Sequence, residues 1–281
     1  MPIKTSFQTE DYLRSAALPQ HGKTYTVIPH GDIIDQTRAE LTLAGFEIER
    51  ELYKTTTNCD VAQGIYHLKH GDDQDMGLMF AWSNSYNKTM RFKCAIGARV
   101  FICTNGMVSG DLSSYQRRHS GPTALQEAVA SIKAQMLTAK QHFSTLIKDK
   151  EMLKTIVLSK KEQSSIIGQL YADQEILTVS QMAVVKREMD KPSFNYNADP
   201  NSAWSLYNHI TLSLKDSHPM TFLSDHEDVH KFFVDEFGQL VSNSVIAPAP
   251  DAPLEKEEVL EEVLSTSEAS YFSGYDGVLF M

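Results

Sequence analysis

Residues Trp82–Gly110, WSNSYNKTMRFKCAIGARVFICTNGMVSG, decide the reading of the fold. From Thr89 the apolar residues alternate. Met90, Phe92, Cys94 and Ile96 share one side, and Thr89, Arg91, Lys93 and Ala95 share the other. A period of two puts successive side chains on opposite faces, so this is a β-strand with one core face and one basic face. Met76–Trp82 before it is almost continuously apolar, the pattern of a central strand buried on both sides. Asn87-Lys88 joins the two as a hairpin turn, although a lysine resists the positive φ such turns favour. Gly97 reads as a break, Val100–Cys103 as a short apolar strand, and Asn105-Gly106 as a turn pair that tolerates the left-handed region.

Upstream, Tyr25–Ile28 reads as a strand and Asp32–Ala44 as a helix stopped by Gly45, a β-α-β opening followed by strands at Phe46–Tyr53 and Gly64–His70. Downstream, Pro122 fits the first turn of a helix, where its missing N–H costs nothing. Leu125, Val129, Ile132, Met136, Ala139, Phe143 and Leu146 follow one another by fours and threes, a continuous apolar seam. Such a seam packs either across the chain's own sheet or against a second copy. Further helices are expected over Ser159–Ala172, Ser180–Met189, Ser202–Leu214 and Ser224–Val241, with capping boxes at Ser159/Glu162 and Ser224/Glu227, and a loop over Asp190–Pro200. The expected class is α+β: an N-terminal, mostly antiparallel sheet with one early helix, a long crossing helix, then C-terminal helices. The expected divisions are a sheet domain over 1–120, a helical region packed on it over 121–243, and a proline-rich, acidic, flexible tail with an apolar tip over 244–281.

The 281 residues are 42% hydrophobic and 22% charged, an ordinary globular composition. Cys59, Cys94 and Cys103 lack C-x-x-C spacing, so neither a disulfide framework nor a zinc ribbon is encoded, and a reducing cytoplasm is expected. The N-terminus has no secretory pattern, and no run of 18 apolar residues occurs, so no membrane span is expected. The net charge of -10 is unevenly spread. Lys88–Lys161 holds 13 Lys and Arg against four acids, or +9, whereas Asp251–Asp276 holds eight acids and one lysine. Local potential, more than net charge, steers a charged ligand.

One string matches a catalytic pattern. His226-Glu227-Asp228-Val229-His230 is H-E-x-x-H, which on a helix sets two histidines on one face as zinc ligands with the glutamate as general base. Against it, the Ser224/Glu227 capping box already accounts for the glutamate, Asp225 and Asp228 add charge, and Phe233 replaces the metzincin glycine. A zinc-dependent hydrolase therefore ranks third among the readings, and no catalytic residue, metal or cofactor is assigned. Phosphate-loop, dinucleotide and nucleophile-elbow motifs are absent. Ser109, Asp111 and His119 read as a loop network, and Cys103 as a buried thiol.

Asn84-Ser85, a turn, a strand and then Arg99–Val108 resemble the phage- and plasmid-associated family called domain of unknown function 932, whose members read N-S-H-D-G-S-S and then F-R-x-V-C-T-N-G-L. Cys103-Thr104-Asn105-Gly106 matches that core in full, while Tyr86-Asn87-Lys88-Thr89 replaces the family's turn. The resemblance covers residues 20 to 215. It implies an origin on a mobile element, most of all a bacteriophage, and no established activity. A basic-faced strand meander with a long helix is similar to the β-β-β-α core of phage single-strand annealing proteins, which form rings or filaments. The leading expectation is a single-stranded nucleic-acid binder in the host bacterial cytoplasm that works as a homo-oligomer. Lys88, Arg91, Lys93, Arg99, Arg117 and Arg118 would meet phosphates, and Tyr115 would stack on a base. The alternative is a non-enzymatic protein that acts on a host defence or replication factor through its acidic tail.

Overall fold

The computed structural model describes residues 5–20, 22, 25–69, 73–102, 105–108 and 116–244, with side chains described to residue 238. Among the described residues seven strands form one antiparallel sheet: β1 (Thr5–Gln8), β2 (Glu47–Thr56), β3 (Val61–Lys69), β4 (Met76–Ser85), β5 (Phe92–Val100), β6 (Gly106–Val108) and β7 (Gln116–Arg117). β1 to β6 lie side by side in chain order, and β7 pairs with the start of β5 while β6 pairs with its end. Between β1 and β2 the chain forms α1 (Glu10–Arg14) and α2 (His30–Leu43). After β7 come α3 (Ala124–Thr155), α4 (Lys160–Ala172), α5 (Val179–Asp190), α6 (Ala203–Ser213), a 3-10 turn (Leu214–Asp216) and α7 (Phe222–Ser244). The described residues up to Ser242 form one compact unit. The tail expected over 244–281 lies outside the described residues, except for the last residue of α7.

The α+β class and the long crossing helix are both present. Phe92, Cys94, Ile96 and Ala98 of β5 alternate onto one face together with Leu78, Phe80 and Trp82 of β4. α3 lies against this face through Ala128, Ile132, Met136, Ala139, Phe143 and Leu146. Each large apolar side chain buried in this stripe stabilises by about 2 kcal/mol relative to exposure. The seam therefore closes the chain's own core and is not free to join copies. The register leaves Leu125 and Val129 only half-buried, because the N-terminal turns of α3 overhang toward α2.

The opposite face of the sheet is covered as well. Ile65, Met79, Ala81, Ala95 and Val108 form a smaller core there with Phe222 and Leu223 from the start of α7. The face that alternation marks as basic is thus partly interior.

Other expectations need correction. Tyr25–Ile28 is not a strand, because its polar groups are spent at the sheet's end: the Tyr25 hydroxyl donates to the Ser85 carbonyl (2.8 Å) and the Thr26 N–H donates to the His119 carbonyl (3.0 Å). The first strand is β1, which lies upstream of it. Gly97 does not break β5. It sits inside the strand because a Cβ there would lie 2.2 Å from the Met107 carbonyl oxygen. Val100 ends β5, and Phe101 and Ile102 are an exposed turn. Gly106 likewise serves close packing and not a left-handed turn, since a Cβ would stand 3.2 Å from the His226 ring. Lys88 does adopt φ +65°, and the Asn87 side chain accepts from the Thr89 N–H and hydroxyl to hold the turn. Ser159 and Thr178 make capping boxes on α4 and α5. Ser224 does not: α7 begins two residues earlier, and the Ser224 hydroxyl donates to the Thr221 carbonyl (2.9 Å).

Candidate functional site

The expected phosphate contacts separate into three groups. Lys93 and Arg99 point to the face shared with α7. Lys93 is half-buried: desolvation pulls its pKa down, while the opposing Asp225, Glu227 and Asp228 of α7 push it back up. Asp225 itself is raised to about 6 by burial, against hydrogen bonds from Ser217 and Thr221. Arg99 pairs with Glu49, and its guanidinium lies 5.1 Å from the Phe101 ring centre. Arg117 is the register partner of Phe92, so it points to the opposite face from Lys93, and it donates to the Gln116 carbonyl (2.9 Å).

Lys88, Arg91 and Arg118 form the third group. All three are exposed near the β4–β5 turn and the end of β7, and no ion pair to a described acid holds them. Here the Lys88 ammonium lies 5.1 Å from the Tyr25 ring centre, and Tyr25 stacks on His119 at 5.3 Å. The cation-π contact fixes the lysine in a turn whose backbone is otherwise unfavourable for it. Burial lowers His119 to about 4 and raises Tyr25 to about 12, so both are neutral near pH 7. Tyr25 and His119 carry no local signal of this role; 94 residues separate them. The Tyr25 ring is already engaged, so among the described residues this end offers charge more than a stacking platform. Tyr115 lies outside the described residues.

The matching motif is structural where it is described. Asn84 is fully buried on β4; its amide donates to the Ile28 carbonyl (2.9 Å) and to Nδ1 of His30 (2.9 Å). Nε2 of His30 lies 3.0 Å from the Cys59 carbonyl, which can only accept. The proton is therefore on Nε2, Nδ1 is free to accept from Asn84, and burial holds the ring neutral with a pKa of about 4. His30 also stacks on Tyr86 at 3.9 Å. The Ser85 hydroxyl donates to the Met90 carbonyl (3.0 Å), and the Asn105 amide donates to the Asn208 carbonyl (2.8 Å), which ties β6 to α6. Cys103 and Thr104 lie outside the described residues, as do Ser109 and Asp111.

A match to the family model Domain of unknown function (DUF932) runs over residues 17–220. The chain belongs to the DUF932 family. No curated protein and no solved structure matches it. The DUF932 match ends before α7, the helix that carries the H-E-x-x-H string. His226 is fully buried, and its Nδ1 donates to the Phe222 carbonyl (2.9 Å). His230 turns instead to Asp149 of α3, with Nε2 3.1 Å from the carboxylate. The two rings thus serve separate partners. Among the described residues no group of three or more His, Cys, Asp or Glu side chains is placed to hold a metal ion. No helix among the described residues is long and apolar enough to cross a membrane.

Proposed function

We propose that this DUF932 protein is a nucleic-acid-associated protein, encoded by a phage or other mobile element, that engages single strands in the bacterial cytoplasm. The carrying observation is that Lys88, Arg91 and Arg118 stand exposed together at one end of the sheet, whereas Lys93 and Arg99 are engaged by acids. Polyanion binding draws on cations that no acid holds, because an ion pair must be broken before the phosphate is met. The site is therefore narrower than the sequence suggests. Annealing, if the protein performs it, must bring copies together through a surface other than the α3 seam, which is taken by the sheet.

Fluorescence anisotropy with a labelled oligonucleotide tests this. Three phosphate contacts give a slope of log K against log salt of about −2 for a single strand. Replacing Arg91 and Arg118 by alanine removes about two thirds of that slope, while Arg99→Ala leaves it nearly unchanged. Absence of binding at low salt, or full binding by the double variant, refutes the reading.

A further inference from the structure

The segment between α5 and α6 builds a cleft of two chambers. Its larger chamber, about 490 Å³, is walled by Pro192, Phe194, Tyr196 and Pro200. Its smaller neighbour, about 260 Å³, reaches Lys160 and Lys186. His209 lines both, as do Pro192 and Pro200, so the two chambers meet around one imidazole. Together they fall within the size range of pockets that take small molecules.

His209 brings a hydrogen-bonding group to the junction of the chambers. It is 3% exposed, its Nδ1 is buried without a hydrogen-bond partner, and burial lowers it to about 4, so the ring is neutral. A neutral imidazole offers one donor and one acceptor. A buried polar atom left unpaired is costly, so a ligand that reached Nδ1 would gain a hydrogen bond there.

The walls are preformed. The Asn201 N–H donates to Asp199 Oδ1 (2.7 Å), the Leu158 N–H donates to the Asn201 carbonyl (2.9 Å), and the Ala203 N–H donates to the Ile156 carbonyl (2.8 Å). Tyr196 meets the His209 ring edge-on at 5.6 Å. Flat walls of proline and aromatic rings around a single hydrogen-bonding group suit a planar heterocycle. The cations at the rim suit an anion attached to it. Lys186 pairs with Asp190 at 2.9 Å, but both are well exposed, so the pair opens at little cost.

We propose that this cleft binds a nucleoside monophosphate, free or at the end of a single strand. The base lies between the aromatic and proline walls beside His209, and the phosphate meets Lys160 and Lys186. The proposal stands apart from the nucleic-acid reading, since the cations of that reading belong to other elements.

Isothermal titration of the full chain with the four nucleoside 5′-monophosphates, and with the parent nucleosides, tests it. Saturable binding of at least one monophosphate is expected, with a Kd of about 0.1–1 mM. Lys160→Ala with Lys186→Ala, both on the surface, should weaken the monophosphate about tenfold and leave the nucleoside unchanged. Phe194→Ala should weaken both, and Arg91→Ala with Arg118→Ala should change neither. A 5′-phosphorylated oligonucleotide that displaces the monophosphate assigns the strand end; one that does not assigns the free nucleotide. No saturable binding, or monophosphate binding that the double lysine variant leaves intact, overturns the proposal.

Discussion

Lowering the pH should unfold this protein well before most carboxylates protonate. His30, His67, His119, His209 and His226 are all buried, and desolvation lowers each from 6.5 to about 4. A histidine held neutral in the fold but free to charge when unfolded binds more protons in the unfolded state. The stability it supports is complete above pH 6.5 and is lost as pH falls from there toward 4. Asp225 works the other way. Its folded pKa is raised from 3.8 to about 6, so its buried charge costs stability at neutral pH, and that cost is relieved as pH falls through 6. It offsets somewhat less than one of the five histidines. Near pH 5.5 unfolding then takes up about four protons, a slope of about 5 kcal/mol per pH unit. With a typical total of about 5–15 kcal/mol, about one to three such units remove the fold. Urea midpoints followed by tryptophan fluorescence at pH 7.5, 6.5 and 5.5, at constant ionic strength, measure this. His226→Gln should remove about one proton from the slope, or about 1.2 kcal/mol per pH unit near pH 5.5. A midpoint that does not move between pH 7.5 and 5.5, or native-state NMR titrations of these rings near 6.5, would refute the reasoning.

Asn84→Ala removes the amide that holds Ile28 and His30, and should cost about 2–3 kcal/mol in chemical denaturation. Gly97→Ala places a methyl 2.2 Å from the Met107 carbonyl oxygen, and since backbone cannot give way cheaply, β6 should detach, visible as faster amide exchange at Met107 and Val108. Lys150 is 2% exposed and donates to Asp73 (2.7 Å); Lys150→Ala leaves that carboxylate without its buried partner and should cost about 3 kcal/mol, with a lowered thermal midpoint.

Local chemistry made much of this molecule readable. Period-two alternation found β4 and β5, the heptad spacing found α3, and Ser159 with Glu162 marked the start of α4, because each depends on residues within one or two turns of one another. Ser224 with Glu227 has the same spacing but lies inside α7. There the Phe222 N–H bonds the His218 carbonyl and the Asp225 N–H bonds the Thr221 carbonyl, so the helix had begun before the expected cap. Tyr25–Ile28 has strand-like residues but no ladder to join. The His209 cleft left only faint marks, Pro192 and Pro200 bracketing an asparagine-rich loop, since its walls and its imidazole meet only after α5 and α6 pack together.

By itself, the sequence determined the α+β class, the family, and the alternation that puts Lys93 and Ala95 on one face of β5 and Cys94 and Ile96 on the other. Only the tertiary structure decided which of the basic residues are free. Alternation states that a side chain leaves one face of a strand, but whether that face meets water or a helix depends on contacts across more than a hundred residues. α7 lands beside Lys93 with three acids, Glu49 reaches Arg99, and Lys88, Arg91 and Arg118 are left open at the sheet's end. Charge is written in the chain, and its availability is settled by packing.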